Sequence, residues 1–172
     1  LAETYAREKA PEIWNNPSGV EMIIKSTNGT DLNNEWSYSW NQYYVPSPNP
    51  SNQSLEIQGI NMVRVTLDPH DGSISSYSKW YLPLDSQLNL TPDLTEEQAW
   101  GYAKKFYESN GIEVTDNVNK TVYGLSITPD ENNNQHLTWK FYVKTTVNGF
   151  DEGGLVGIDA HDGSVVWKAM IA

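Results

Sequence analysis

The segment Val65-Thr-Leu-Asp-Pro-His-Asp-Gly-Ser-Ile74 returns later in the chain as Val156-Gly-Ile-Asp-Ala-His-Asp-Gly-Ser-Val165, at an offset of 91 residues. Both copies place Asp-x-His-Asp-Gly-Ser between two apolar stretches. Aspartate side chains accept hydrogen bonds from backbone amides two or three residues on, and glycine adopts the positive φ that ends such a turn. The residue types therefore predict a hairpin connection between two antiparallel strands in each copy.

Two further matches occur in the same order along the chain. Trp36–Trp40 shares its alternation with Leu137–Phe141 at an offset of 101, and Ala2–Ala6 matches Ala99–Ala103 at an offset of 97. Offsets that differ by a few residues indicate loop insertions between matched elements. Three ordered matches indicate a tandem duplication.

The duplication predicts an α+β fold of two similar halves, residues 1–83 and 84–172, each an antiparallel β-sheet with one packed helix. The second helix has the clearer signals. Thr95 is a good N-cap with Gln98 three residues later, as in a capping box. Asn110-Gly111 supplies a left-handed stop.

Apolar alternation and turn residues predict the remaining elements. The strands are expected at 20–25, 35–45, 57–67, 73–80, 121–128, 136–147, 155–159 and 164–170. A turn is expected at Asn28-Gly29 and another around Asn148-Gly149, and three prolines in 46–54 predict a long loop. The first helix is expected to end near Ala10, with an inner face of Leu1, Ala2, Tyr5, Ala6 and Ile13.

Composition excludes several function classes. The 172 residues include no Cys, which rules out disulfides, Cys-based metal sites and a Cys nucleophile. A net charge of −11 opposes nucleic-acid binding, and no apolar run is long enough for a transmembrane segment. Asn, Ser and Thr make up 44 residues while only 19% are charged, which favours an extracytoplasmic protein. The start at Leu1 without Met predicts a trimmed or mature form that has lost a signal peptide or lipid anchor.

The repeated turn also permits a metal-site hypothesis, because two Asp and one His fall within four residues. A calcium loop needs further oxygen ligands and an acidic residue near its twelfth position, and zinc needs three or four converging ligands. The three histidines are His70, His136 and His161. The first and last occupy equivalent turns. No nucleophile elbow or His-Glu-x-x-His motif is present. We predict no catalytic, cofactor-binding or metal-ligating residue, and no enzyme.

Aromatic side chains crowd the first half of the chain. They are Trp14, Trp36, Trp40, Tyr43, Tyr44, Trp80 and Tyr81. Such residues fill cores, but rows of them also stack on sugar rings or anchor a partner protein. The core interpretation is favoured for Trp36, Trp40 and Trp139. One member of each adjacent pair, 43–44 and 80–81, is expected to lie outside, because neighbours on a strand point to opposite faces.

Three segments carry a family resemblance. Leu155–Trp167, Val63–Ile74 and the helix Leu94–Phe106 resemble the terminal strands and opening helix of PepSY-type domains. These include domains of the YpeB class and the propeptides of thermolysin-like peptidases. The loop 46–54 and the aromatic strand 36–45 depart from that pattern. The resemblance implies a tandem of small, non-catalytic, extracytoplasmic domains that bind or restrain a peptidase or regulate an envelope process.

We therefore expect a non-catalytic interaction or regulatory domain whose partner is a protein, either a peptidase or an envelope component. The alternative is a module that binds cell-surface carbohydrate or another envelope ligand. The third hypothesis is a hydrolase. An open edge strand or a groove for an extended peptide would favour the first, and exposed aromatics lining one groove the second. A deep pocket with converging carboxyls would favour the third.

Overall fold

Two α-helices, one 3-10 turn and eight strands follow one another in the residues described by this computed structural model: 1–16, 18–30, 34–46, 55–114, 119–147 and 150–171. In chain order they are α1 (Ala2–Lys9), the 3-10 turn (Pro11–Ile13), β1 (Glu21–Thr30), β2 (Trp36–Val45), β3 (Ile57–Leu67), β4 (Ile74–Trp80), α2 (Glu96–Ser109), β5 (Asn119–Pro129), β6 (Gln135–Val147), β7 (Phe150–Asp159) and β8 (Val165–Ile171).

The prediction of two similar halves, each with its own sheet and helix, is wrong. The eight strands belong to a single sheet, in which β1 to β4 and β5 to β8 each pair in sequence order with antiparallel neighbours. The helices also differ, since α1 has 8 residues and α2 has 14. Pro11 ends the first helix early, because proline lacks the N–H that a continuing helix needs.

The chain divides into two compact units, Leu1–Ser86 and Gln87–Ala172. In the first unit, the small inner face of α1 and the 3-10 turn packs on β2 and β3. The core residues are Ala2, Ala6, Ala10, Ile13, Trp40, Val63, Val65 and Leu67. Alanines on the helix allow close approach to the branched side chains of β3. The boundary predicted between residues 83 and 84 stays a prediction.

In the second unit, α2 packs on β6 and β7. The core residues are Ala99, Ala103, Tyr107, Ile112, Phe141, Val143, Val156 and Ile158. The predicted capping box is confirmed: the Gln98 backbone N–H donates to the Thr95 hydroxyl at 3.3 Å, and the Thr95 N–H donates to the Gln98 side chain at 2.8 Å. Gly111 ends the helix with φ of +82°.

Some predicted local features are wrong. The chain does not turn at Asn28-Gly29, because β1 continues in register with β2 through Asn28↔Tyr38 and Gly29↔Ser37. Leu1, expected on the inner face of the first helix, is 76% exposed because it precedes the first turn of α1. Most of the predicted loop 46–54 and the turn at 148–149 lie outside the described residues.

Candidate functional site

A row of three aromatic residues runs along one face of β2. Trp36, Tyr38 and Trp40 alternate along the strand, so their side chains share a face. The rings of Tyr38 and Trp40 are stacked, with centroids 6.4 Å apart and planes inclined by 18°. Burial falls along the row, since Trp40 is 6% exposed and Trp36 is 46% exposed. The row therefore passes from the core to solvent.

Beside this row, the edge strand β1 presents only small polar residues. Ser26 pairs with Trp40, Asn28 with Tyr38 and Thr30 with Trp36. Directly opposite residues of an antiparallel pair lie on the same face, with Cβ atoms about 4.5–5.5 Å apart. Because these neighbours are small, they leave Trp36 exposed and Tyr38 partly exposed, whereas Trp40 is buried.

On the other side of the row, α1 lies over β3 and forms the wall of a groove. Ala2 and Ala6 of α1 pack with Val63, Val65 and Leu67 of β3. A cavity of about 380 Å³ opens between the start of α1 and the strands β1 and β2. A second, of about 350 Å³, lies over Trp36, and the two share Asn28 and Tyr38. We call these two adjoining cavities together the aromatic groove, whose lining includes Trp36, Tyr38, Trp40, Ser26, Asn28, Thr30 and Glu3.

The aromatic groove is polar at its rim but carries little charge. Glu3 supplies a carboxylate at the wall, and Arg7 Nε donates to its Oε1 at 2.9 Å. Both side chains are about half exposed, so solvent screens the pair. Hydroxyl, amide and indole groups are the remaining polar groups of the lining, which suits hydrogen bonding and stacking more than acid–base chemistry.

The predictions for the aromatic residues have mixed outcomes. Trp40 is buried as predicted, but Trp36, also expected in the core, is largely exposed because α1 does not extend over it. In the pair 43–44, Tyr44 is 3% exposed, while Tyr43 is partly exposed. Lys25 Nζ lies over the Tyr43 ring, 4.6 Å from its centroid. Trp80 is 65% exposed and thus lies outside as one of its pair was expected to.

Both repeated segments form the predicted hairpin turns. In the first turn, the His70 N–H donates to Asp68 Oδ1 at 2.7 Å, and the Ser73 N–H donates to Asp71 Oδ1 at 2.8 Å. The second turn repeats both bonds at 2.8 Å. The turn glycines have φ of +72° and +79°. The aspartates thus act on the backbone, and the described part of the chain contains no group of three His, Asp or Glu side chains placed to hold a metal ion.

Two histidine contacts join the second turn to neighbouring segments, and the sequence analysis did not predict them. His161 Nδ1 lies 2.8 Å from Asp93 Oδ2, and its Nε2 lies 3.1 Å from the Asn89 carbonyl oxygen. His136 Nδ1, at the start of β6, lies 2.8 Å from Asp159 Oδ2. These contacts join the segment before α2 and the strand β6 to the turn, and they serve to fix the turn in place.

Comparisons with known proteins found similar solved structures of low sequence identity. No family model and no curated protein matches it. Among solved structures, it is similar to the YpeB C-terminal domain of Bacillus megaterium, with 13% identity, a TM-score of 0.45 and coverage of 100% of this chain and 98% of that chain. A candidate lipoprotein of Clostridium difficile 630 has 16% identity and a TM-score of 0.29, covering 99% and 93%.

Within the described residues, neither helix has the length and apolarity that a bilayer crossing requires. The tandem arrangement stays a prediction. No functional residue is transferred from either structure, so the aromatic groove remains the candidate site on its own geometry.

Proposed function

We propose that this protein is a non-catalytic, extracytoplasmic interaction module that holds an extended segment of a partner protein against β1 and the aromatic groove. The observation that carries the proposal is the position of the groove beside an edge strand. Among the described strand pairs, β1 pairs with β2 alone. Its outer backbone groups are therefore available for strand addition, a common mode of peptide recognition.

The geometry of β1 favours such an addition. The strand is ten residues long, contains no proline, and its last six residues are exposed. An added strand would lie about 4.8 Å beyond β1. Side chains on its groove face would cross the small residues Asn28 and Thr30 to reach the rings of Tyr38 and Trp36. Main-chain bonds would then supply affinity, and the groove would select large apolar or aromatic side chains at alternate positions.

Charge favours a neutral or basic segment. Residues 1–86 carry 10 acidic and 5 basic side chains, a net charge of −5. Opposite charge on a partner increases the association rate more than the final affinity. The resemblance to PepSY-type domains makes a peptidase the first partner class to test, and the polar, uncharged composition supports a location outside the cytoplasm.

A carbohydrate ligand is the second candidate for the groove. Trp36 and Tyr38 line the groove beside the neutral side chains of Asn28 and Thr30, and aromatic rings can stack on sugars. This candidate predicts contacts to the rings without involvement of the backbone of β1.

The test is a peptide-display selection against the full chain, followed by amide NMR of the selected peptides bound to labelled protein. We expect peptides with alternating large apolar residues, and shifts of the β1 amides. The Trp36→Ala protein should select no peptides, whereas Trp80→Ala, at a tryptophan of β4 that is more exposed than Trp36, should select the same peptides as the unchanged protein. Unchanged binding by Trp36→Ala would refute the proposal. Glycan binding that moves the rings but not the β1 amides would establish the second candidate.

A further inference from the structure

A further cavity in the first unit shares no lining residue with the aromatic groove and has a different chemistry. It has a volume of about 160 Å³ and is bordered by the segment after the 3-10 turn, by β2 and β3, and by the segment after β4. Its lining includes Asn16, Ser18, Gln42, Tyr44, Asn61 and Tyr81. We call it the amide pocket.

Two buried amides form the base of the amide pocket. Gln42 is 1% exposed and Asn61 is 2% exposed. Asn61 Nδ2 donates to Gln42 Oε1 at 2.6 Å, and the Tyr44 hydroxyl donates to the same oxygen at 2.9 Å. The Leu82 N–H donates to Asn61 Oδ1 at 2.6 Å. Gln42 Oε1 therefore accepts two hydrogen bonds and Asn61 Oδ1 accepts one, and the network holds the two side chains in fixed orientations.

The donors of this network are only partly used. Gln42 Nε2 donates to the Ile13 carbonyl oxygen at 2.7 Å, and Asn61 Nδ2 to Gln42. A primary amide has two N–H donors. Each of these buried amides thus retains one N–H with no hydrogen-bond partner within the described residues. A buried donor without an acceptor costs about 1–3 kcal/mol, so an oxygen acceptor inside the pocket would be stabilising.

The lining admits an uncharged ligand. None of the described side chains that border the amide pocket is acidic, basic or histidine. Burial raises the pKa of Tyr44, so its hydroxyl stays neutral. A charged ligand would lose its hydration without gaining an opposite charge, which is strongly unfavourable. Hydroxyl groups of Ser18 and Tyr81 at the rim add neutral donors and acceptors.

The volume holds one unsubstituted six-membered ring, and the pocket is partly open, so the hydroxyl groups of a substituted ring would extend outward into solvent. An apolar cavity of about 150 Å³ accommodates one benzene molecule. Here the volume is similar, but the walls are amides, hydroxyls and two tyrosine rings. A ring that carries several hydroxyl groups can accept from the amide N–H groups that have no partner among the described residues, and can contact the tyrosines with its C–H faces. We propose that the amide pocket binds one uncharged pyranose ring, as a sugar-binding site independent of whatever occupies the aromatic groove.

The test uses the full ¹⁵N-labelled chain, titrated with methyl glucopyranoside and followed through side-chain amide signals. We expect saturable shifts of the Gln42 and Asn61 NH₂ signals. Tyr81→Phe, which keeps the ring and removes the hydroxyl, should weaken binding about fivefold, the effect of one ordinary hydrogen bond. Tyr123→Phe, at an exposed tyrosine of the second unit, should bind as the unchanged protein does.

Two further probes make the outcome decisive. Glucuronic acid, which has the same ring with a carboxylate, should bind at least tenfold more weakly than the neutral glycoside. Equal binding of acetamide, absence of shifts at Gln42 and Asn61, or shifts confined to the aromatic groove would overturn the proposal. Sugar shifts at the pocket in a Trp36→Ala variant would support it whether or not the groove binds a partner. Thermal melts of each variant confirm that the protein remains folded.

Discussion

Gly153 shows how closely two strands of the second unit approach each other. It pairs with Lys144 of β6 and has φ of +142°. A Cβ atom at this position would lie 2.1 Å from the carbonyl oxygen of Val143. Only glycine fits this contact between strand backbones without displacing one of them.

We therefore expect Gly153→Ala to lower the free energy of unfolding by about 2–3 kcal/mol, because the strands must separate to admit the methyl group. The matched control is Gly101→Ala in the interior of α2, where no heavy atom lies within 4 Å of the new Cβ. That change should raise stability by about 0.5–1 kcal/mol, since alanine is the better helix former. Urea denaturation measures both. Equal effects of the same sign would contradict the proposed steric origin.

Residues whose role is local could be predicted from the sequence. The turn aspartates and glycines act on backbone groups within a few positions, and their identities alone indicate a hairpin. Trp36 could not be placed correctly, because its exposure depends on where α1 lies on the sheet. Gln42 did carry a signal: it continues the inward alternation of Trp36, Tyr38 and Trp40 as a polar residue, which is unusual at a buried position.

At the scale of elements, the short α1 explains why the aromatic groove exists. Eight helical residues span about 12 Å, whereas the ten residues of β2 span about 33 Å. The helix covers the Trp40 end of the aromatic row and cannot reach Trp36. The bounds of α2 were predictable from its cap and stop signals, but the length of β1 was not, because pairing with β2 overrode the Asn28-Gly29 turn signal.

The capping box of α2 provides a prediction for an element. Thr95→Ala removes the hydroxyl that accepts from the Gln98 N–H, and should lower the free energy of unfolding by about 1 kcal/mol. Thr95→Ser retains the hydroxyl and should restore most of the loss. Chemical denaturation of the two variants separates them. If alanine and serine behave alike, the cap hydrogen bond does not contribute to stability.

At the scale of the whole molecule, the repeated turns suggest two copies of one unit, yet the strands form one sheet. Whether strands join into one sheet depends on which strand edges pair, and a repeat in the sequence does not predict that pairing. The separate cores of the two units were nevertheless accessible from sequence, because each follows the apolar alternation of its own strands and helix.

The core of the second unit provides a test of the boundary predicted between residues 83 and 84. Residues 84–172, produced alone, should unfold in one cooperative transition, because α2 and the strands β5 to β8 bury a core of their own. Thermal melting followed by near-ultraviolet circular dichroism measures it, with residues 1–172 as the reference. A gradual, featureless melt would show that the second unit needs the first.

The exposed edge of β1 that could bind a partner strand could also promote aggregation. Long unpaired edges invite self-association into fibril-like ladders, and this one lacks the proline that commonly blunts them. A net charge of −11 makes copies repel one another, but that repulsion acts over only about 8 Å at physiological ionic strength. Colloidal stability should therefore decline in concentrated salt, where the molecule would depend on an occupied edge to remain dispersed.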